Sequence, residues 1–274
     1  MISYIGGKSR MAKWICKHIP DNIETYVEVF GGAFWVYIKG DVHEKPKLKE
    51  VIYNDKNRFM VNLFQCCTEP HFFNKYMEDS GIKSQNEELF YKYQEEIKNT
   101  CDLGFKDFSF DMGMKYAYIA TQVFSGSKIM ESKYIDLKGK YNSKFDAFRK
   151  RLINPDVMQK LHKITKCENR DYHEIINIYD SPTTFFYVDP PYYKKEKYYS
   201  GKGFSTGDHQ ILCEMLGRID GLFALSYYEF EELSEWLPKE DFNWVEKEFT
   251  KASGAKKGKK QNKGTELLIM NYDI

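Results

Sequence analysis

The 274-residue chain is 42% hydrophobic and 16% aromatic, enough apolar side chain to bury a large core, and its formal net charge is only +1. It has no run of about 18 apolar residues to span a bilayer and no apolar core or small-residue cleavage site of a signal peptide near its start, so a soluble, cytoplasmic protein with no membrane partner is expected. The six cysteines include no C-x-x-C and the six histidines show no ligand spacing, which argues for reduced thiols and against a metal centre.

The stretch Tyr4-Ile5-Gly6-Gly7-Lys8-Ser9 ends like a phosphate-cradling loop. Such a loop needs a preceding strand and a glycine at the position of Ile2, and it has neither. Gly6-Gly7 reads instead as a turn opening a helix, because Met11, Trp14, Ile15, His18 and Ile19 follow at helical spacing until Pro20. A strand from Tyr26 to Phe30 then runs into Gly31-Gly32 and an apolar segment, the entry of a nucleotide-binding α/β unit in which glycine lets backbone approach a ligand closely. The fingerprint G-x-G-x-x-G is absent, which weighs against a nicotinamide oxidoreductase. A second strand, Val51 to Tyr53, is followed by Asp55, placed as such folds place an acid on a ribose diol. Capping of the next helix by Asn54 or Asp55 is the competing account.

From about residue 57 to 166 the periodicity is mostly helical, in "RFMVNLFQCC", "NEELFYKYQEEIKN" and "MGMKYAYIATQVF". A helical block interrupting an α/β pattern predicts an inserted subdomain, residues 58–166, within a domain made of residues 1–57 and 167–274. Residues 126–151 hold eight Lys or Arg against three acids, and residues 251–263 hold six Lys and no acid, a solvated-loop composition. Tyr134 to Leu137 and Tyr141 flank Lys138-Gly139-Lys140, which predicts a β-hairpin with basic edges. Lys128, Lys133, Lys138, Lys140 and Lys144 either face phosphates or keep a solvated edge from aggregating.

The strand pattern resumes at Thr183 to Val188 and runs straight into Asp189-Pro190-Pro191-Tyr192. Beyond it the pattern predicts a helix from about Asp208 to Ile219, a buried strand ending at Ser226, and strands at Asn243 to Phe249 and Glu266 to Asn271, a mixed sheet closing with an antiparallel hairpin. Two prolines after a strand make a stiff turn that cannot donate N–H bonds, and the residue before a proline stays extended. Asp189 therefore sits at the carboxyl rim of the sheet, where open α/β folds bind ligands. A carboxylate, the Pro190 carbonyl and the Tyr192 ring together match an exocyclic amine on a planar base. The lone pair of such an amine is delocalised into its ring; accepting both N–H bonds draws the nitrogen toward tetrahedral geometry and frees it to attack, while Tyr192 holds the ring by stacking. A base in a duplex must first leave the stack to be presented this way.

"YIGGKS", "EVFGGAFW", "YNDKN" and "YVDPPYY", in this order and with a long helical insert before the last, resemble the Dam-type adenine-N6 DNA methyltransferases, the D12 class with its DPPY motif. The resemblance implies a Rossmann-like α/β methyltransferase fold that uses S-adenosylmethionine, with Tyr4, Lys8, Phe30 and Gly31 beside that cofactor, Asp55 on its ribose and Asp189 between cofactor and target amine. It implies direct transfer to a flipped adenine in double-stranded DNA, no metal, and a monomer; restriction–modification, replication marking and phage self-protection are all compatible settings. "TELLIMNY" looks like the family's last strand. Members acting on GATC carry an Arg in the recognition hairpin where this chain has Lys128 and Ile129, so no target sequence is assigned. Cytosine N4 or an RNA adenine as acceptor, and a non-catalytic DNA binder, remain open on the residues alone. The segment after Tyr192, "YKKEKYYSGKGF", is expected to order over DNA or the flipped base.

Overall fold

Short apolar strands separated by helices assemble into one sheet. The computed structural model describes residues 8–82, 86–102, 104–123, 129–135, 144–194, 204–250 and 263–273. The strands are β1 (Thr25–Glu28), β2 (Glu50–Asn54), β3 (Lys166–Glu168), β4 (Thr184–Val188), β5 (Leu222–Tyr227), β6 (Asn243–Thr250) and β7 (Lys263–Met270), in the order β3-β2-β1-β4-β5-β7-β6. The pairs among β1 to β5 are parallel, whereas β7 runs antiparallel between β5 and β6. This is the mixed sheet ending in an antiparallel hairpin that the sequence predicts.

Alternation of side chains across each strand divides the core in two. Tyr26, Tyr53, Phe185, Tyr187, Ala224 and Leu268 face one side, where they pack with α1 (Ala12–Cys16), α2 (Trp35–Lys39) and α3 (Arg58–Cys67). Val27, Ile52, Phe186, Val188, Phe223 and Ile269 face the other, covered by α9 (Tyr172–Tyr179), α10 (Thr206–Leu216) and α11 (Leu233–Trp236). Every residue of β4 is buried, as expected of a central parallel strand covered on both faces. The helical block comprises α3, α4 (Pro70–Asp79), α5 (Glu87–Asp102), α6 (Phe110–Thr121), α7 (Lys144–Leu152) and α8 (Pro155–His162). Its apolar residues belong to the same cluster as the first sheet face. Buried Asn62 of α3 ties that block together: its Nδ2 donates to the Ser109 carbonyl and its Oδ1 accepts the Ser109 N–H, both at 2.8 Å, at the start of α6.

Three expectations differ from the structure. The first helix is short, ending at Cys16 and continuing as turns to Ile19. The strand β3 is absent from the sequence reading because Lys166-Cys167-Glu168 has no apolar run; only pairing with Ile52, Tyr53 and Asn54 makes it a strand. Just before the expected basic hairpin, Ile129–Glu131 is a 3₁₀ turn, and the two hairpin residues that are described, Tyr134 and Ile135, are not strand. Gln94 of α5 donates to the carbonyls of Ile129 (2.8 Å) and Ser132 (3.0 Å), so this backbone is held by a helix and not by a neighbouring strand. Residues 136–143, with Lys138 and Lys140, lie outside the described residues, as does Lys128.

Replacing Asn62 by Ala leaves the Ser109 N–H without its acceptor, while the Ser109 carbonyl keeps the Gly113 N–H. The expected loss is about 1–3 kcal/mol in unfolding free energy, measured by urea denaturation.

Candidate active site at the carboxyl rim of the sheet

Parallel strands deliver their carboxyl ends to one rim, so the residues following β1, β2 and β4 become neighbours although far apart in sequence. They are the Phe30-Gly31-Gly32 loop, Asp55, and Asp189-Pro190-Pro191-Tyr192. Because β1 lies between β2 and β4, the glycine loop stands between the two aspartates.

The loop is pressed onto β2. The Gly31 N–H donates to the Asn54 carbonyl at 2.7 Å. A Cβ at Gly31 would come within 2.3 Å of the Tyr53 ring and 2.8 Å of the Asn54 oxygen, so only glycine fits, and the close approach it permits is to β2 itself. Gly32 has φ 47°, its N–H donates to Asp55 Oδ2 at 2.8 Å, and its carbonyl accepts the Tyr53 hydroxyl at 2.8 Å. Phe34 takes the left-handed region at φ 56°, a strained choice for a side-chain-bearing residue, and its ring is locked between Tyr37, Tyr53 and Phe64. Phe30 remains half-buried, stacked on Tyr172 and edge-on to Phe204.

Asp55 is buried and fixed by backbone: Oδ2 accepts Gly32 N–H and Oδ1 accepts Asn57 N–H at 2.7 Å. Burial raises its pKa to about 6 against the lowering effect of those two bonds. Each oxygen retains a lone pair, the set that a vicinal diol requires. The cap of α3 is Asn57, whose side chain accepts from Phe59 and Met60, so the Asp55 carboxylate is not the cap.

Asp189 is 19% exposed and does not stand alone. Its Oδ1 lies 3.1 Å from Lys8 Nζ, and Lys8 also contacts Glu266 Oε1 at 2.8 Å and donates to the Tyr192 hydroxyl. The Tyr192 hydroxyl in turn donates to Glu266 Oε1 at 3.3 Å. Lys8, Tyr192 and Glu266 are all buried. The Asp189 pKa is raised to about 6, by burial first, against the lowering effect of Lys8 and with a smaller push upward from Glu266. Burial by itself would lower the Lys8 pKa, but Asp189 and Glu266 together hold it above the ordinary lysine value. Pro190 is buried behind this group. The Tyr192 ring is engaged by Lys8, 4.7 Å from its centroid, and by Tyr228 at 4.4 Å, so it is not the open stacking face that the sequence suggests.

The structure thus brings together Lys8, Phe30, Gly31, Asp55, Asp189, Pro190 and Tyr192 at one rim. Tyr4 lies outside the described residues. Lys133, exposed, and Lys144, half-buried at the start of α7, belong to the helical block. Two acids escaped the sequence reading. Glu266 is on β7, and the reversal of that strand, with Leu267 opposite Tyr227, carries its early residues to the rim where β5 ends. Glu28, the last residue of β1, is buried, and its Oε1 accepts the Tyr26 hydroxyl at 2.7 Å and the Tyr37 N–H at 3.0 Å. The available signal was an acid beside an apolar run, in "YVEVF" and "TELLIM".

Residues 4–252 match the family described as D12 class N6 adenine-specific DNA methyltransferase. The chain belongs to this family. The match agrees with the expected resemblance, and membership implies use of a methyl donor and a DNA substrate class. Among curated relatives, the Modification methylase StsI of Streptococcus sanguinis is 24% identical over 300 residues, covering 99% of this chain and 42% of the relative. The Type II methyltransferase M.FokI of Planomicrobium okeanokoites is 23% identical over 299 residues with the same coverages. The Type II methyltransferase M.MjaIII of Methanocaldococcus jannaschii is 25% identical over 303 residues, covering 99% of this chain and 98% of the relative. The chain therefore spans 42% of the length of two of these relatives and almost all of the third. Among the described residues no helix is long and apolar enough to cross a membrane, and no cluster of potential metal ligands occurs.

Glu28 generates a test of the rim's electrostatics. Burial lifts its pKa from the ordinary 4.5 to about 8, against its two hydrogen bonds. The folded protein therefore keeps a proton that the unfolded chain releases, and between those values stability falls as pH rises, by at most about 1.4 kcal/mol per pH unit. Glu28→Gln keeps an oxygen for Tyr26 and Tyr37 but cannot ionise. It is expected to match the wild type in urea denaturation near pH 4.5 and to exceed it increasingly as pH rises toward about 8.

Proposed function

We propose that this chain is a site-specific DNA methyltransferase that moves a methyl group from S-adenosylmethionine to the N6 amine of adenine in double-stranded DNA, acting on a base flipped out of the helix. The observation that carries the reading is the Asp189-Pro190 turn at the end of a fully buried strand, beside the Gly31-Gly32 loop and Asp55, in a chain of the D12 family.

The donor set suits the cofactor. Asp55, held by two backbone N–H groups, has lone pairs for the ribose hydroxyls. Phe30 and Gly31 border the same loop, and Tyr4 and Lys8 are assigned to this site from the family motif. S-adenosylmethionine, when bound, supplies an electrophilic methyl group. The remaining work falls to the protein's own groups. The Asp189 carboxylate and the Pro190 carbonyl accept the two N–H bonds of the target amine, which restores nucleophilic character to its nitrogen. Fixed acceptors on a stiff turn also remove most of the orientational freedom that the reaction must otherwise overcome. Buried Tyr192 serves as the wall behind them, holding Lys8 beside Asp189.

We assign residues 1–57 and 167–274 to catalysis and the helical block 58–166 to DNA recognition, with Lys128, Lys133, Lys138, Lys140 and Lys144 as phosphate contacts. A role as a modification methylase is supported by the names of the relatives, and a monomeric cytoplasmic enzyme fits this reading.

Incubation of the protein with S-adenosylmethionine and mixed-sequence duplex DNA, followed by nucleoside mass spectrometry, should yield N6-methyladenine. Asp189→Ala should reduce the yield by about a hundredfold or more while DNA binding persists in a gel-shift assay. Undiminished methylation in that variant would overturn the assignment. The ionised Asp189 carboxylate is the form that accepts its share of the amine's N–H bonds beside the Pro190 carbonyl, so kcat/KM is expected to fall as pH drops through about 6 and to stay level above it until another group intervenes.

A further inference from the structure

Lysine offers three N–H donors, and in this site three acceptors meet them: Tyr192 Oη, Asp189 Oδ1 and Glu266 Oε1. This arrangement creates a conflict with the proposed chemistry. Asp189 must present its carboxylate to the target amine, yet one of its oxygens is engaged by a buried ammonium that cannot be left without a counter-charge. We infer that Glu266 is a positioning residue that acts through Lys8: it is the standing partner that keeps the lysine held while Asp189 turns to the amine. This inference rests on the proposed methyl transfer and deepens it.

The geometry supports the division of labour. The Lys8–Glu266 contact is shorter than the Lys8–Asp189 contact, 2.8 against 3.1 Å. Glu266 is 2% exposed whereas Asp189 is 19% exposed, so Glu266 faces inward and Asp189 alone has an open side. Tyr192 joins the inner pair, accepting from Lys8 and donating to Glu266, so Lys8 retains two acceptors when Asp189 releases it. Without the Glu266 carboxylate, Asp189 becomes the only ionised partner in contact with Lys8, and the ion pair tightens on the atom the amine needs.

Glu266 also repels the Asp189 charge. The other groups facing Asp189 are Lys8, which favours its ionised form, and Glu28, Tyr187 and Tyr228, whose own values are pushed up by burial first and by its proximity. Removing the Glu266 charge therefore lowers the pH at which Asp189 ionises, although turnover falls. A residue with a merely structural role would not produce that pairing.

The test uses the full chain as wild type, Glu266→Gln and Glu266→Asp, with S-adenosylmethionine and mixed-sequence duplex DNA. For Glu266→Gln we expect kcat reduced by about a hundredfold, a little-changed KM for DNA, and an acid limb of kcat/KM displaced to lower pH. Glu266→Asp, which restores the charge at shorter reach, should recover part of kcat and move the acid limb back. Titration of the Asp189 carboxyl carbon by NMR, without DNA or cofactor, supplies a readout independent of turnover and should shift to lower pH in Glu266→Gln. Wild-type kcat in Glu266→Gln, or an Asp189 titration that does not move, would overturn the inference. If Glu266→Gln does not fold, kcat of Glu266→Asp decides: the shorter reach to Lys8 should hold it below the wild type, and a kcat equal to the wild type would overturn the inference. Absence of N6-methyladenine from the wild type, with the Asp189 titration still shifting, would instead remove the proposed reaction and leave the Lys8 clamp standing.

Discussion

A carboxylate withdrawn from water at the end of an apolar strand needs a donor or a cation, and the rim of this sheet holds four such groups. Each is met differently. Asp55 is held by backbone N–H groups of Gly32 and Asn57, and Glu28 by the Tyr26 hydroxyl and the Tyr37 N–H. Asp189 and Glu266 share Lys8. The manner of satisfaction determines what each can do. Glu28, whose pKa is raised to about 8, is mostly neutral at pH 7 and is closed in by the core. Asp55 keeps lone pairs but not its freedom of position. Asp189 alone combines an ion pair with an open side.

The sheet topology creates this gathering. The parallel strands β1, β2 and β4 deliver Glu28, Asp55 and Asp189 to one rim, and the antiparallel β7 brings Glu266 there from the opposite chain direction. Lys8 precedes α1 and reaches across the end of β5, so residues 8 and 266 close the site that β1 and β4 open. The left-handed Phe34 shows how firmly the loop between Asp55 and Asp189 is set, because only a well-packed aromatic cluster sustains that backbone.

Much of this was legible in the sequence because burial on both faces writes itself as an apolar run. The strands at Tyr26, Val51, Thr184 and Leu222 announce themselves in that way, and Asp189-Pro190-Pro191 announces a rim. What was hidden depends on partners distant in the chain. Lys166-Cys167-Glu168 becomes a strand only through β2. Glu28 and Glu266 look like the solvent-facing members of alternating strands, and nothing local says that Tyr37 or Lys8 will bury them. The sequence suggests that Gly31 lets backbone approach a ligand; the close neighbours in the structure are Tyr53 and Asn54, which no local pattern names. Ahead of the expected hairpin, nothing local reveals that Gln94 captures the carbonyls of Ile129 and Ser132; the hairpin's turn lies outside the described residues.

The same charges constrain how DNA can be held under the proposed function. With Glu28 mostly neutral, the rim still sets three acids against one lysine and repels phosphate, and burial strengthens that repulsion by lowering the local dielectric. The backbone of a duplex must therefore be gripped elsewhere, and the chain places cations on the helical block, with exposed Lys133 and the Arg149-Lys150-Arg151 end of α7. Of these, Arg149 is paired with Glu78. Under the proposed function, the duplex backbone is held by the helical block while the target base reaches the acidic rim at Asp189, which fits a nucleotide rotated out of the stack.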